Sequence, residues 1–212
     1  MEKINETIRF NLTGSQFDFQ ALLKLCEEHK NEQIFVFASH DFTYNNPTVE
    51  FKDVKLMFVG SRITFANLSE QSYVKFTNCE VYDLNMVFEV DENAYRRKYL
   101  SFENSFIEGL NLRVENMQVS KDIEANLIGV VSSEIKNSTI TYVDNVNYEL
   151  THVIKGPNLL YSESSKINNS RIFVNSTIPV IINVDFAEDV HISANAFQSI
   201  RVEGNRILKT TW

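Results

Sequence analysis

The chain has 212 residues, of which 43% are hydrophobic, so it can bury a sizeable core and is not a disordered protein. Its 28 acidic and 20 basic residues give a formal net charge of -8, which disfavours unspecific contact with a phosphate backbone, and direct nucleic-acid binding is not expected. Two cysteines exclude a disulfide framework. No apolar run is long enough to span a membrane, and the N-terminus has no signal-peptide pattern, so we expect a cytoplasmic protein.

The first 48 residues differ from the rest of the chain. Ile8–Leu12 has the composition of a short strand, and Gln33–Ser39 has that of a buried strand. Between them, Ser15 is a candidate helix cap, with Asp18 three residues later in a capping-box position. The helix has an apolar stripe at i, i+3, i+4 and i+7, formed by Phe19, Leu22, Leu23 and Cys26. We therefore predict a strand–helix–strand unit over residues 1–48.

From residue 49 to 212, short segments with period-2 alternation predict β-strands. Only six glycines and three prolines are present in the whole chain, which is few for a protein built from tight hairpins. Instead, a unit with asparagine at its third position returns along the chain, as FTNCEV, FENSFI, VENMQV, IKNSTI and INNSRI. These units begin at Phe76, Phe102, Val114, Ile135 and Ile167.

Asparagine explains this recurrence, because among non-glycine residues it readily adopts the left-handed backbone conformation. A chain that bends sharply between short strands needs such a residue at each corner. If the bends stack, the asparagine amides stack as well and can form hydrogen-bonded ladders. The sequence therefore predicts one all-β domain, a parallel β-solenoid over residues 49–212 that is capped by residues 1–48.

Two segments resemble the pectin-lyase-like right-handed β-helix superfamily. Phe19–His29 resembles its N-terminal capping helix, Ile34–Ala38 the strand that follows, and Tyr44 the aromatic residue of the next turn. The segment VHISANAFQSIRVEGNRI resembles the terminal coils, with Asn195 and Asn205 at corners. The resemblance implies a single-stranded right-handed parallel β-helix of phage or bacterial type. One departure is ASHDFTY, where the family usually has proline and glycine before the tyrosine.

The catalytic motifs of that superfamily are missing from this sequence. Hydrolysing members have paired aspartates and a Gly-His-Gly neighbourhood, and this chain has neither. Its four histidines lack the spacing of metal ligands, and no G-x-S-x-G signature is present. We therefore expect no enzymatic activity, no metal site and no cofactor, and we interpret Cys26 and Cys79 as core residues.

The segment EVDENAYRRKYL (Glu89–Leu100) interrupts the strand pattern and is predicted to be a projecting loop. Arginine and tyrosine are enriched in binding hot spots. The candidate binding residues are accordingly Glu92, Tyr95, Arg96, Arg97, Lys98 and Tyr99. One alternative is a solvated loop whose acids and bases pair with each other. Another is that the basic residues and their flanking aromatic residues hold a phosphate or a nucleic-acid strand.

These features favour a non-catalytic protein-binding solenoid. Its acidity suits a partner with a basic surface, and by analogy it is an inhibitor carried by a phage or mobile element that blocks a nucleic-acid-binding protein. The alternative is a tail-spike-like protein that binds or degrades polysaccharide, for which the fold is suitable. A third possibility is a self-assembling cytoskeletal β-helix, which the predicted capping helix opposes. No membrane partner is expected.

Overall fold

Stacked parallel strands make up most of the described structure. In a computed structural model, the described residues are 7–90, 98–116, 126–144, 158–176, 180–195, 200–203 and 209–211. They form 21 β-strands and one α-helix, α1 (Asp18–Glu28), and all strand pairs among them are parallel.

The strands form three rows, and each turn of the chain, here called a coil, contributes to every row. Row 1 consists of β1 (Ile8–Leu12), β2 (Gln33–Ala38), β5 (Lys55–Gly60), β8 (Glu80–Tyr82), β11 (Phe106–Glu108), β14 (Glu134–Lys136) and the first parts of β17 (Lys166–Asn175) and β19 (Phe186–Ala194). Row 2 consists of β3 (Phe42–Asn45), β6 (Ile63–Ala66), β9 (Asn85–Val90), β12 (Asn111–Asn116), β15 (Thr139–Asp144), the second parts of β17 and β19, and β21 (Lys209–Thr211). Row 3 consists of β4 (Thr48–Lys52), β7 (Tyr73–Thr77), β10 (Leu100–Glu103), β13 (Asn126–Val131), β16 (Asn158–Glu163), β18 (Val180–Asn183) and β20 (Ile200–Glu203).

The number of residues per coil varies because the connections differ in length. Lys166 pairs with Phe186, 20 residues later, whereas Glu134 pairs with Lys166, 32 residues later. Each strand therefore pairs with its counterpart in the next coil and not with its neighbour in sequence. The chain is an all-β parallel solenoid, as the recurring asparagine units predict. Because β2 and β3 pair with β5 and β6, the first coil starts within residues 1–48.

The core runs along the solenoid axis and is filled by every second residue of each strand. In row 1 the inward residues Val81, Ile107 and Ile135 are completely buried. In row 3 the rings of Phe51, Phe76 and Phe102 stack on one another, with centroids 5.1 and 5.4 Å apart. The period-2 alternation follows directly from the pleat, which directs successive side chains to opposite sides.

Left-handed residues mark the corners between rows. The first corner joins row 3 to row 1, the second joins row 1 to row 2, and the third joins row 2 to row 3. Positive φ angles occur at the first corner in Asp53, Asn78, Asn104, Ser132 and Ser164, at the second in Gly60, Asp83, Gly109, Asn137, Asn169 and Asp189, and at the third in Asn46 and Asn67.

Four of the five recurring asparagines are therefore confirmed as corner residues: Asn78, Asn104, Asn137 and Asn169. The prediction is wrong for Asn116, which ends strand β12. Stacked amides occur as separate pairs: Asn169 Nδ2 donates to Asn137 Oδ1 at 2.6 Å. Aspartate and serine share the corner positions because their short polar side chains also tolerate the left-handed conformation.

Serines that follow the corner residues form a continuous hydrogen-bonded ladder, whereas the asparagine amides do not. At the first corner, Ser105 Oγ accepts the Cys79 N–H at 3.0 Å, Ser133 Oγ accepts the Ser105 N–H at 2.9 Å, and Ser165 Oγ accepts the Ser133 N–H at 3.0 Å. Each of these serine hydroxyls also donates to the carbonyl two residues earlier, as Ser133 does to Val131 at 2.7 Å. These bonds satisfy buried backbone N–H groups that the sharp bend takes out of the strand ladder.

Helix α1 packs against the first coil at the N-terminal end of the core. The Phe19 ring lies 4.7 Å from the ring of Tyr44 and 5.6 Å from that of Phe65. The predicted cap at Ser15 is wrong, because the residue before the helix is Phe17 and no side chain caps it. The Asp18 carboxylate instead turns back and accepts hydrogen bonds from the preceding residues.

Candidate functional site: an acidic strip on row 1

The structure describes only the end of the predicted binding loop. Glu92, Tyr95, Arg96 and Arg97 lie outside the described residues. Lys98 lies on the outer side of row 3, where its Nζ is 5.5 Å from the centre of the Tyr161 ring. The aliphatic part of the Lys98 side chain packs over Gly129, because a Cβ atom added to Gly129 would lie only 2.7 Å from Lys98 Cδ.

Tyr99, the last residue of that candidate set, is only 1% exposed and belongs to the core. Lys98 and Tyr99 therefore lie on the sheet surface and in the interior, respectively, and not together on one exposed surface. A binding role for the loop as a whole stays a prediction.

Carboxylates gather on one narrow face of the solenoid. We define the acidic strip as residues 80–83, 106–109, 134–137, 166–169 and 185–189, which are row 1 of five successive coils with its adjoining corners. It contains seven carboxylates and two lysines. These are Glu80, Asp83, Glu108, Glu134, Asp185, Glu188 and Asp189, with Lys136 and Lys166.

The narrowness of the strip follows from the local sequence. Strands β8, β11 and β14 have three residues each, with a left-handed residue on either side. In each strand the middle residue is buried, so the first and third residues point outward. Parallel register then aligns Glu80, Phe106 and Glu134 in one column. Tyr82, Glu108 and Lys136 form the second column.

The described outward charges of the other two rows are balanced. Row 3 carries Glu50, Lys52, Lys75, Lys98, Glu103 and Glu163. There, Lys75 Nζ lies 2.8 Å from Glu103 and 3.5 Å from Glu50. Row 2 and its edge carry Asp41, Arg62, Glu89, Arg113, Glu115 and Arg171. Among the described outward charges of the three rows, the excess of negative charge thus lies on the acidic strip, while the N-terminal strands of row 1 carry Arg9 and Lys55.

Carboxylates of the strip are held in place by neighbouring polar groups. Asn137 Nδ2 donates to Glu108 Oε1 and Asn168 Nδ2 donates to Glu134 Oε1, each at 2.7 Å. The backbone N–H of Ser164 donates to Asp185. Amide donors orient a carboxylate without adding a positive charge beside it.

A groove of about 710 Å³ runs along the first corner beside the strip. The small residues of the serine ladder form its floor. Its rims include Glu80, Phe106 and Glu134 on one side and Asn78 and Asn104 at the corner. Phe186 also borders the groove and is 38% exposed. The lining of the groove therefore combines aromatic rings and carboxylates with the Lys166 side chain.

The N-terminal end of row 1 is apolar on its outer side. Phe35, Phe37 and Met57 are half-buried and Val59 is 41% exposed. The guanidinium of Arg9 lies 5.8 Å from the centre of the Phe37 ring. Phenylalanine, methionine and arginine are enriched at protein interfaces, so this end adds contact area next to the acidic strip.

Both thiols are buried, and neither has the environment of a reactive cysteine. Burial raises the pKa of the Cys26 thiol to about 12 and also raises the pKa of Cys79. Within the described ranges, no group of three or more histidine, cysteine, aspartate or glutamate side chains is arranged to hold a metal ion. In the same part of the chain, no helix has the length and apolar character needed to cross a bilayer.

Comparison with known proteins adds no assignment. No protein-family model, curated protein or solved structure matches this chain. The site must therefore be interpreted from its own chemistry.

Sequence reasoning missed the acidic strip because its charges are far apart in the chain. Glu80, Glu108, Glu134 and Asp185 are separated by more than twenty residues each, and the coil length changes from turn to turn. Only the overall charge of -8 indicated that an acidic surface exists. The local motifs predict where the corners lie in the sequence, but they do not predict which corners lie on the same face of the solenoid.

Proposed function

We propose that this protein is a non-catalytic binding module whose acidic strip contacts a basic surface of a partner protein. The supporting observation is that the acidic strip carries seven carboxylates and two lysines, while the described charges of rows 2 and 3 balance. Complementary charge accelerates encounter and discriminates against wrong partners. The apolar end of row 1 supplies contact area beside it.

The rigidity of the face favours such a role. Parallel pairing fixes the backbone on both sides of β8, β11 and β14, and the serine ladder fixes the first corner. A surface that is ordered before association loses little conformational entropy on binding. Solenoids provide extended surfaces of this kind in many binding proteins.

The spacing of the charges supports a partner that normally binds nucleic acid. At about 4.8 Å per stacked strand, the strip spans about 19 Å over its five coils. Seven carboxylates over that length are about as dense as the phosphates of a single DNA strand, which are about 3.4 Å apart along the axis. A protein surface that attracts phosphates would therefore also attract this strip, and the module would act as an inhibitor by occupying that surface.

The test compares three forms of the protein as baits in cells that encode it. The strip variant carries Asp83→Asn, Glu108→Gln and Asp189→Asn, and asparagine tolerates the positive φ of both corner aspartates. The matched variant carries Glu27→Gln, Glu28→Gln and Glu70→Gln, which are exposed residues outside the strip. Each variant raises the formal net charge by three.

We expect a basic partner that the wild type and the matched variant retain and the strip variant loses. The strip variant should bind the purified partner at least about tenfold more weakly than the wild type does. Duplex DNA should compete with the wild-type protein for binding to the partner. A partner bound equally by all three forms, or a partner that DNA does not displace, would contradict this function.

The finer features of the resemblance are part of the same proposal. A right-handed coil is supported by the strong preference for right-handed connections between parallel strands, and a crystal structure would test it. Cytoplasmic residence is supported by the two free, buried thiols.

The alternative function is a polysaccharide-binding or polysaccharide-degrading protein. The supporting observation is the aromatic and acidic lining of the groove. Binding of the wild-type protein to a glycan array would favour this alternative.

A further inference from the structure

Two lysines of this chain, on β5 and β17, make the same pair of contacts on the row 1 face. Lys55 Nζ lies 2.9 Å from Glu80 and 5.1 Å from the centre of the Tyr82 ring. Lys166 Nζ lies 3.1 Å from Glu188 and 5.4 Å from the centre of the Phe186 ring. In both places a cation is held between a carboxylate and an aromatic ring.

The first of these contacts perturbs the ionisation of both partners. The hydrogen bond to Glu80 raises the pKa of the Lys55 ammonium, and the same bond, with a second from Tyr82, lowers the pKa of the Glu80 carboxyl. The raised pKa of the ammonium and the lowered pKa of the carboxyl both mean that the contact stabilises the charged forms of Lys55 and Glu80. The face is thus chemically suited to hold a positive charge over a ring.

Between these two positions lies a third set of the same groups. Phe106 stands between Glu80 and Glu134 in the column, and its ring centre is 6.0 Å from that of Tyr82. Glu134 accepts the Asn168 amide and has no ion-pair partner among the described residues. Phe106 and Glu134 both border the groove, so a side chain that enters the groove meets the ring and the carboxylate together.

We infer that Phe106 and Glu134 bind an arginine side chain of the partner. This inference rests on the proposed function and names the chemistry of the contact. A guanidinium is planar, so it stacks on a ring while its N–H groups bind a carboxylate, whereas an ammonium is a compact and strongly hydrated charge. The partner segment is therefore rich in arginine, and it lies extended along the first-corner groove.

The test uses blocked octapeptides of arginine and of lysine, which have equal charge. The wild-type protein should bind the arginine peptide about fivefold more tightly, which corresponds to about 1 kcal/mol for a partly desolvated cation–π contact. Phe106→Leu should reduce this preference to less than about twofold, because it should weaken arginine-peptide binding more than lysine-peptide binding. Glu134→Gln should weaken the binding of both peptides.

The matched control is Phe173→Leu, which alters an aromatic residue that is 40% exposed on row 2. It should keep the wild-type preference, and circular dichroism melts should show that every variant is folded. Equal binding of the two peptides by the wild type, or a preference that survives Phe106→Leu, would overturn the arginine site while leaving the acidic strip in place. Failure of both peptides to bind would overturn the strip as a basic-partner surface as well.

Discussion

At the scale of single residues, the serines of the first-corner ladder supply hydrogen bonds to backbone N–H groups at the bend. Ser133 Oγ accepts the Ser105 N–H at 2.9 Å and donates to the Val131 carbonyl at 2.7 Å, and the residue is only 7% exposed. Cys79 occupies the equivalent position at one end of the ladder, and its thiol donates a hydrogen bond to the Thr77 carbonyl at 3.2 Å. From Cys79 to Ser165, four successive first corners thus have a small side chain with a donor at this position.

Ser133→Ala should therefore destabilise the protein by about 1–3 kcal/mol. It leaves the buried Ser105 N–H without its acceptor and the Val131 carbonyl without one of its donors. Urea unfolding followed by circular dichroism measures the change in the free energy of unfolding. Ser193→Ala, on the outer side of β19, is the control and should change stability by less than about 0.5 kcal/mol. Equal effects of both substitutions would show that the ladder contributes nothing.

At the scale of elements, the entry to α1 depends on one buried carboxylate. Asp18 accepts hydrogen bonds from Tyr44 Oη at 2.6 Å, from the Thr13 hydroxyl and N–H at 2.8 Å each, and from the Gly14 N–H at 2.9 Å. Burial raises the pKa of the Asp18 carboxyl, but these hydrogen bonds together outweigh burial and hold the pKa below its ordinary value. Burial and the bond to Asp18 also raise the pKa of Tyr44.

Stability at the cap should therefore depend on pH in the acidic range. Because the folded pKa of Asp18 lies below the unfolded value of about 3.9, its contribution is present above that value and is lost as pH falls through the folded pKa. Asp18→Asn should cost about 1–3 kcal/mol at pH 7, since hydrogen bonds to a charged acceptor are lost. The difference between wild type and variant should shrink below pH 4.

Thermal melts of both proteins between pH 2.5 and pH 7 measure this difference. Asp41→Asn serves as the control, because Asp41 is exposed and bonds to Arg62 outside the cap. A difference between wild type and Asp18→Asn that stays constant with pH would contradict a stabilising carboxylate at this position.

The sequence predicts elements much better than it predicts their arrangement. Alternation in FTNCEV and FENSFI locates both strands and the corner between them, because period and left-handed propensity are local properties. The predicted helix cap at Ser15 is wrong because a local motif cannot show that the Asp18 carboxylate accepts a hydrogen bond from Tyr44, a residue far from it in the sequence. Likewise, alternation alone could not pair Phe106 with Glu134, since that depends on how many residues each connection inserts.

At the scale of the whole molecule, the acidic strip should cost stability that salt can restore. Seven carboxylates and two lysines lie within about 19 Å, and successive strands are only about 4.8 Å apart. The Debye length falls from about 30 Å at 0.01 M salt to about 10 Å at 0.1 M, so repulsion between carboxylates more than two coils apart is largely screened at the higher salt, whereas repulsion between adjacent coils is reduced only in part.

The strip variant, with Asp83→Asn, Glu108→Gln and Asp189→Asn, should therefore be more stable than the wild type by about 0.5–1 kcal/mol at 0.01 M salt. The difference should be smaller at 0.1 M, as measured by urea unfolding in both buffers. The matched variant Glu27→Gln, Glu28→Gln and Glu70→Gln changes the net charge equally, but its residues lie outside the strip, so its salt dependence should be smaller. If the two variants responded alike, net charge alone would explain the effect, and the strip would not be a distinct electrostatic surface available to a basic partner.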